Sequence, residues 1–197
     1  MTSLRMRLCL ALVAASLLSA CGGGGGGDPA PGSQATQDAP YVDPGSPVPG
    51  TRATCDLADF EVEAMQLVNA HRAAGASCGA RGRFGATTAL AWNDALSQAA
   101  LAHSDDMMAN NFFSHTGSDA SNAGQRATAA GYVWRTWGEN IAAGQPTVAE
   151  VVAGWMASDG HCANLMNPAF RDIGLACVSG TASNVYRSYW TMVLGAS

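Results

Sequence analysis

The proton or metal chemistry open to this 197-residue chain rests on its four histidines and a few carboxylates. His115 stands in Phe112-Phe113-Ser114-His115-Thr116-Gly117 and His161 in Ser158-Asp159-Gly160-His161. Glu139 lies between them in Trp137-Gly138-Glu139-Asn140. Two imidazoles and a carboxylate can hold a divalent metal such as Zn²⁺ with a coordination position left open. The same groups can do general acid–base work near neutral pH. His115 and His161 are therefore the metal candidates, and Glu139, His115 and His161 the catalytic candidates. The opposing reading is structural: Glu139 accepts backbone hydrogen bonds and ties loops together. Spacing alone does not bring the three side chains into one place. His71 and His103 fall on apolar helix stripes, where an imidazole is expected to be a satisfied core residue.

Other chemistries drop out. All ten basic residues are Arg, so Schiff-base, Ser–Lys and Walker-type lysine chemistry are excluded. There is no G-x-S-x-G, H-E-x-x-H or EF-hand loop. Fifteen acidic against ten basic side chains give a formal charge of −5, which argues against a nucleic-acid partner.

The elements that must position the candidates read as helices first and a hairpin last. Helix one spans about 56–74, with Asp56 as its N-cap and Leu57, Phe60, Ala64, Leu67, Val68 and His71 as its stripe. Residues 76–91 read as loop with a short extended piece. Helix two starts at the cap Asn93 and carries Leu96, Ala99, Ala100, His103 and Met107 on one face. A short helix covers about 121–130. A fourth opens at Pro146, with Thr147 and Glu150 at capping-box spacing. His115 and His161 then lie just past the ends of helices two and four, and Glu139 lies in an irregular stretch. Residues 173–178 and 185–194 read as two strands joined through 179–183. This order gives an α+β layered domain.

Residues 1–20 form a secretory signal: Arg5 and Arg7, then an apolar run from Leu8 to Leu18, then small residues. Leu18-Ser19-Ala20-Cys21 has the pattern of a bacterial lipobox, so Cys21 is expected to be lipidated and to anchor the chain on a membrane. Gly22 after it, rather than Asp, fits the outer membrane of a two-membrane envelope. Residues 21–54, rich in Gly, Pro and Ser, read as a disordered tether, and 55–197 as the single folded domain. Cys55, Cys78, Cys162 and Cys177 remain in an exported chain, which points to disulfides. Of three connectivities we expect Cys55–Cys78 and Cys162–Cys177, which close loops local in sequence.

Six short motifs in order carry a family resemblance. They are Leu67-Val68-Asn69-x-x-Arg72, Leu90-x-Trp92-Asn93-x-x-Leu96, Phe113-Ser114-His115, Gly138-Glu139-Asn140-Ile141, Trp155-Met156-x-Ser158-x-Gly160-His161-x-x-Asn164 and Ile173-Gly174-Leu175-Ala176, followed by a last strand with Tyr189-Trp190-Thr191. The domain resembles the CAP superfamily, also called SCP, in its short bacterial branch. The resemblance implies a three-layer α–β–α sandwich with an antiparallel sheet and a cleft lined by two histidines and two acids. His115, Glu139 and His161 match three of the four. The second acid falls at Ser158, which is no carboxylate, and Asp159 beside it is expected to point elsewhere.

Members of the family do not share one reaction. The first expectation is a lipid-anchored binding module for a lipid or other cell-envelope component. Its cleft would be formed by His115, Glu139, Ser158, His161 and Asn164, with room for a divalent metal, and Trp134 and Trp137 are candidate walls. The alternatives are a hydrolase of envelope peptides, esters or glycans, using Zn²⁺ on the two histidines and Glu139 as base or third ligand, and a structural envelope protein with a vestigial cleft.

Overall fold

The structure is a computed structural model that describes residues 54–197. The signal segment, Cys21 and all of the tether except Thr54 lie outside those residues. Capping chemistry sets most helix starts. Asn93 accepts the Leu96 N–H at 3.1 Å and opens α2 (Asp94–Ala109). Thr147 accepts the Glu150 N–H at 3.1 Å and opens α4 (Val148–Met156). Asn122 and Gln125 form a reciprocal capping box at 2.9 Å each on α3 (Ala123–Ala129). The first helix departs from expectation. α1 is Phe60–Ala74, and its cap position is Asp59, with φ of 52° and no side-chain cap; Asp56 sits in the turn before it. Its buried stripe is Phe60, Ala64, Val68 and Arg72, while His71 is only half-buried. Arg72 can be buried because it donates to the carbonyls of Thr88 (2.8 Å), Leu165 (2.6 Å) and Asn167 (3.0 Å).

Short strands β1 (Ala76–Ser77) and β2 (Arg83–Phe84) flank a 3₁₀ turn at Gly79–Arg81 and pair with each other. The main sheet has the order β3-β5-β6-β4. β5 (Asp172–Ser179) and β6 (Ser188–Ala196) form the expected antiparallel hairpin. β4 (Thr136–Ala143) pairs antiparallel with β6, Glu139 opposite Val193. β3 (Ala91–Trp92) runs parallel to β5, so the sheet is not antiparallel throughout. The chain between them is a long crossover rather than a hairpin, which permits the parallel pairing.

Two elements correct the sequence reading. The irregular stretch around Glu139 is strand β4, and the loop around His161 is helix α5 (Asp159–Met166). β4 contains Gly, Glu, Asn and Ala, residue types depleted in strands. It is held by its partner and by side chains on its outer edge. Trp155 Nε1 donates to Ile141 O and Asn164 Nδ2 to Glu139 O, both at 3.0 Å. α4 and α5 thus occupy edge carbonyls that would otherwise face water.

The layers follow from the alternation of side chains along β5 and β6. Ile173, Leu175, Cys177, Trp190, Met192 and Leu194 face α1, α4 and α5. Ala176 and Val193 face α2, with α3 packed beyond it. Gly174 brings α2 close, because a Cβ there would overlap the Leu96 and Ser97 backbone. The result is the expected α–β–α sandwich.

The disulfides are Cys55–Cys177 and Cys78–Cys162, not the two local loops expected from the sequence. Thr54 bridges to Cys177 on β5, and Cys55 N donates to Cys177 O at 3.0 Å, which sets Cys55 beside it with Cα atoms 5.1 Å apart. Cys78 leaves α1 against α5, where it packs with Cys162 and Met166. Sequence distance was a poor guide because α5 and β5 bring remote segments into contact with the start of the domain.

Candidate functional site

The site forms where the β4 edge meets both helical layers. Glu139 projects from the middle of β4, opposite Val193 on the α2 side of the sheet, and its side chain is 4% exposed. Both of its oxygens are engaged. Oε1 is 2.7 Å from His115 Nδ1, and Oε2 accepts from Arg126 Nη2 at 2.6 Å. A buried carboxylate is tolerated on such terms: paired and hydrogen-bonded. Arg126, on α3 and 8% exposed, also donates to His115 O (3.1 Å), Ser121 O (2.8 Å) and Ser121 Oγ (3.2 Å). It therefore holds the Glu139 carboxylate and the His115 backbone together.

His115 itself is open, with its side chain 58% exposed. Donation from Nδ1 to the carboxylate leaves Nε2 as the free ring nitrogen. Below its loop lies His103, wholly buried, with its Nε2 donating to Ser114 O at 2.8 Å. Burial is the main cause that pushes the His103 pKa down, and Arg126 adds to it, against Glu139 and the Ser114 bond. His103 is thus a core residue satisfied at one nitrogen only: Nε2 supports the chain one residue before His115, while Nδ1 is buried without a partner among the described residues.

His161 approaches from the other layer, in the first turn of α5. Its backbone carbonyl accepts from Asn140 Nδ2 at 3.1 Å. Its pKa is lowered, first by burial and then by the nearby charge of His115. Ser158 holds the N-cap position of α5, yet its hydroxyl makes no cap bond. Asp159 turns away, as expected, and accepts the Ala80 N–H at 2.9 Å. Asn164 is occupied by the strand edge, donating to Glu139 O and Asn140 Oδ1 at 3.0 Å each.

A groove of about 370 Å³ runs along the β4 edge. Phe113, Ile141, Val151, Trp155 and Tyr186 give it apolar walls, and Ser158 and His161 lie in its lining. Trp134 and Trp137 are not among its lining residues. They pack edge to face with centroids 6.3 Å apart, and Trp134 Nε1 donates to Gly124 O at 3.0 Å. A second hollow of about 450 Å³ lies between α2 and α3, lined in part by Asp106, Asp119 and Arg126. Its carboxylates are already satisfied, Asp106 by Ser118 N (2.8 Å), Ser118 Oγ (2.6 Å) and Asn110 (2.8 Å), and Asp119 by Ser121 N (2.8 Å). The groove is the better candidate, because Ser158 and His161 of the expected cleft line it, whereas the second hollow holds Arg126 alone of the Glu139 network.

The metal expectation meets this donor set poorly. Among the described residues no group of three or more His, Cys, Asp and Glu is disposed to hold a metal ion. The carboxylate that would be third ligand or base already binds His115 and Arg126. Two imidazoles remain, fewer than the three protein ligands of a catalytic zinc centre.

Residues 65–194 match the cysteine-rich secretory protein family, CAP. The chain belongs to the CAP family. Over 128 residues it is 34% identical to YkwD, an uncharacterised protein of Bacillus subtilis strain 168; the match covers 65% of this chain and 46% of that protein, so this chain spans less than half of its relative's length. Two solved structures share the CAP fold. An outer surface protein of Borrelia burgdorferi has 18% identity and a TM-score of 0.56 over 70% of this chain and 91% of that one. A cysteine-rich secretory protein of Staphylococcus aureus has 17% identity and a TM-score of 0.51 over 69% and 38%.

Sequence reasoning missed Arg126, the residue that binds Glu139 to the His115 loop. An Arg among alanines in a short helix looks like a solvated side chain, and no local signal marks it as buried. It also missed Phe113 and Tyr186 as groove walls; their rings are 5.7 Å apart but 73 positions apart in the chain.

Proposed function

We propose that this CAP domain is a ligand-binding module held outside the cytoplasm by a lipid on Cys21, and that it takes an amphiphilic component of the cell envelope into the groove beside His161. The observation that carries this reading is the saturation of Glu139. With both oxygens engaged by His115 and Arg126, the carboxylate acts as a structural post rather than a free base. That disfavours the hydrolase in which Glu139 activates a metal-bound water, and no step of the binding function needs a metal. The groove beside it is lined by apolar walls together with the polar side chains of Ser158, His161 and Gln145, the mixture an amphiphile needs. Two disulfides support an oxidising, exported location, and the signal and lipobox pattern supports the anchor.

The test is a titration of the full-length protein with a soluble short-chain phospholipid, read by tryptophan fluorescence. Saturable binding at micromolar concentration is expected. Gly154 lines the groove, and a Cβ added there meets nothing within 4 Å. Gly154→Trp should therefore fill the groove and abolish binding. Absence of saturation, or binding unchanged in Gly154→Trp, would remove this function.

A further inference from the structure

The groove holds two side chains that binding alone leaves without a task. Ser158 has the extended backbone of an N-cap (φ −102°, ψ 124°) but no cap bond, and its hydroxyl has no partner among the described residues. His161 follows three positions later, half-buried, with no hydrogen bond to either ring nitrogen. Both line the same groove. Ser158 is the N-cap of α5 and His161 its third residue, the two positions whose side chains reach toward one another's backbone in a capping box, so rotation about χ1 can turn the hydroxyl toward the imidazole.

We propose that Ser158 and His161 form a nucleophile–base pair that cleaves carboxylic esters whose acyl chain lies in the groove. The proposal rests on the groove admitting an amphiphile, as argued above. Ser158 Oγ attacks the ester carbonyl while His161 takes its proton. The C–O bond to the alcohol breaks, and His161 returns the proton to the departing alkoxide. Water then attacks the acyl-serine, one proton passes through His161 to Ser158 Oγ, and the free acid leaves. The first-turn N–H groups of Asp159 and Gly160 have no acceptor within the helix, and the mechanism assigns the developing oxyanion to them. The position of a Gly160 Cβ is open, which leaves that approach clear.

The pair sits on a rigid element. The disulfide Cys78–Cys162 fixes the residue after His161, and Asn140 holds the His161 carbonyl at 3.1 Å. Neither ring nitrogen of His161 is oriented by a third group. That restricts the substrate to esters, which have a good leaving group, and excludes peptides.

The experiment uses the full-length protein and an alkyl fluorophosphonate, which phosphonylates an activated serine with loss of fluoride. Mass spectrometry should place the adduct on Ser158. Ser158→Ala should be unlabelled, and His161→Asn should label about 100-fold more slowly. An unlabelled wild type, an adduct elsewhere, or a rate unchanged in His161→Asn would overturn the proposal. Ser158→Ala removes no hydrogen bond, so it should keep the wild-type unfolding temperature; phospholipid binding is measured on the wild type. Lipid binding without labelling refutes the dyad and leaves the binding function standing; labelling without lipid binding does the reverse.

Discussion

Removing the Arg126 guanidinium should be among the most damaging single changes outside the apolar core. Arg126→Met keeps much of the side-chain volume and deletes four hydrogen bonds, to Glu139 Oε2, His115 O, Ser121 O and Ser121 Oγ. The dominant cost is at Glu139, 4% exposed and left with His115 alone. Breaking a buried pair from one side costs about 3–5 kcal/mol. For a domain of this size that lowers the unfolding temperature by on the order of 10 °C. Glu139→Gln strands the guanidinium instead and should also destabilise. The double variant removes both charges and should regain part of the loss, with a coupling of about 1–3 kcal/mol. The assay is urea unfolding at pH 7 of wild type, both single variants and the double, with disulfides intact. Additive single effects, or a loss below about 1 kcal/mol for Arg126→Met, would refute the argument that this pair holds the site together.

Three further outcomes are expected. His103 and His161 both have pKa values pushed below the ordinary histidine value by burial, so the unfolded chain takes up protons first. Their contribution to stability is complete above pH about 6.5 and is lost as pH falls from there through the folded values; urea midpoints from pH 7.5 to 5 should fall, and His103→Gln, which keeps a donor for Ser114 O, should flatten the slope. Replacing Cys55 and Cys177 by Ala opens a loop that the nested Cys78–Cys162 bridge already shortens from 122 residues to about 38 (122 − 84), and should cost about 4 kcal/mol in the chain-entropy account; a loss below about 1 kcal/mol in denaturant titration would contradict it. Gly174→Val should prevent folding because its side chain meets the α2 backbone, whereas Gly154→Ala, in open space on α4, should stabilise by about 0.5–1 kcal/mol; circular dichroism melts of the two variants separate these outcomes.

Local chemistry was legible without coordinates. Asn93 and Thr147 announce helix starts, because a cap is a contract between residues three positions apart. The β5–β6 hairpin is written in its aromatic and β-branched types, and the ordered motifs placed the chain in the CAP family. His115, Glu139 and His161 were identifiable as residue types displayed for chemistry, but their relations were not. Glu139 becomes a strand residue only because β6 pairs with it and because Trp155 and Asn164 cover its edge, so no local propensity could reveal β4. The disulfide partners are chosen by the packing of α1 and the domain's first residues on α5 and β5, over 84 and 122 positions. Arg126 is the clearest case. Its identity is written at one position, while its burial and its hold on Glu139 and His115 arise only when α3 docks against the sheet. Short-range hydrogen bonding can be read from neighbours in the chain, but the pairing of a buried charge depends on which distant segments exclude water from it.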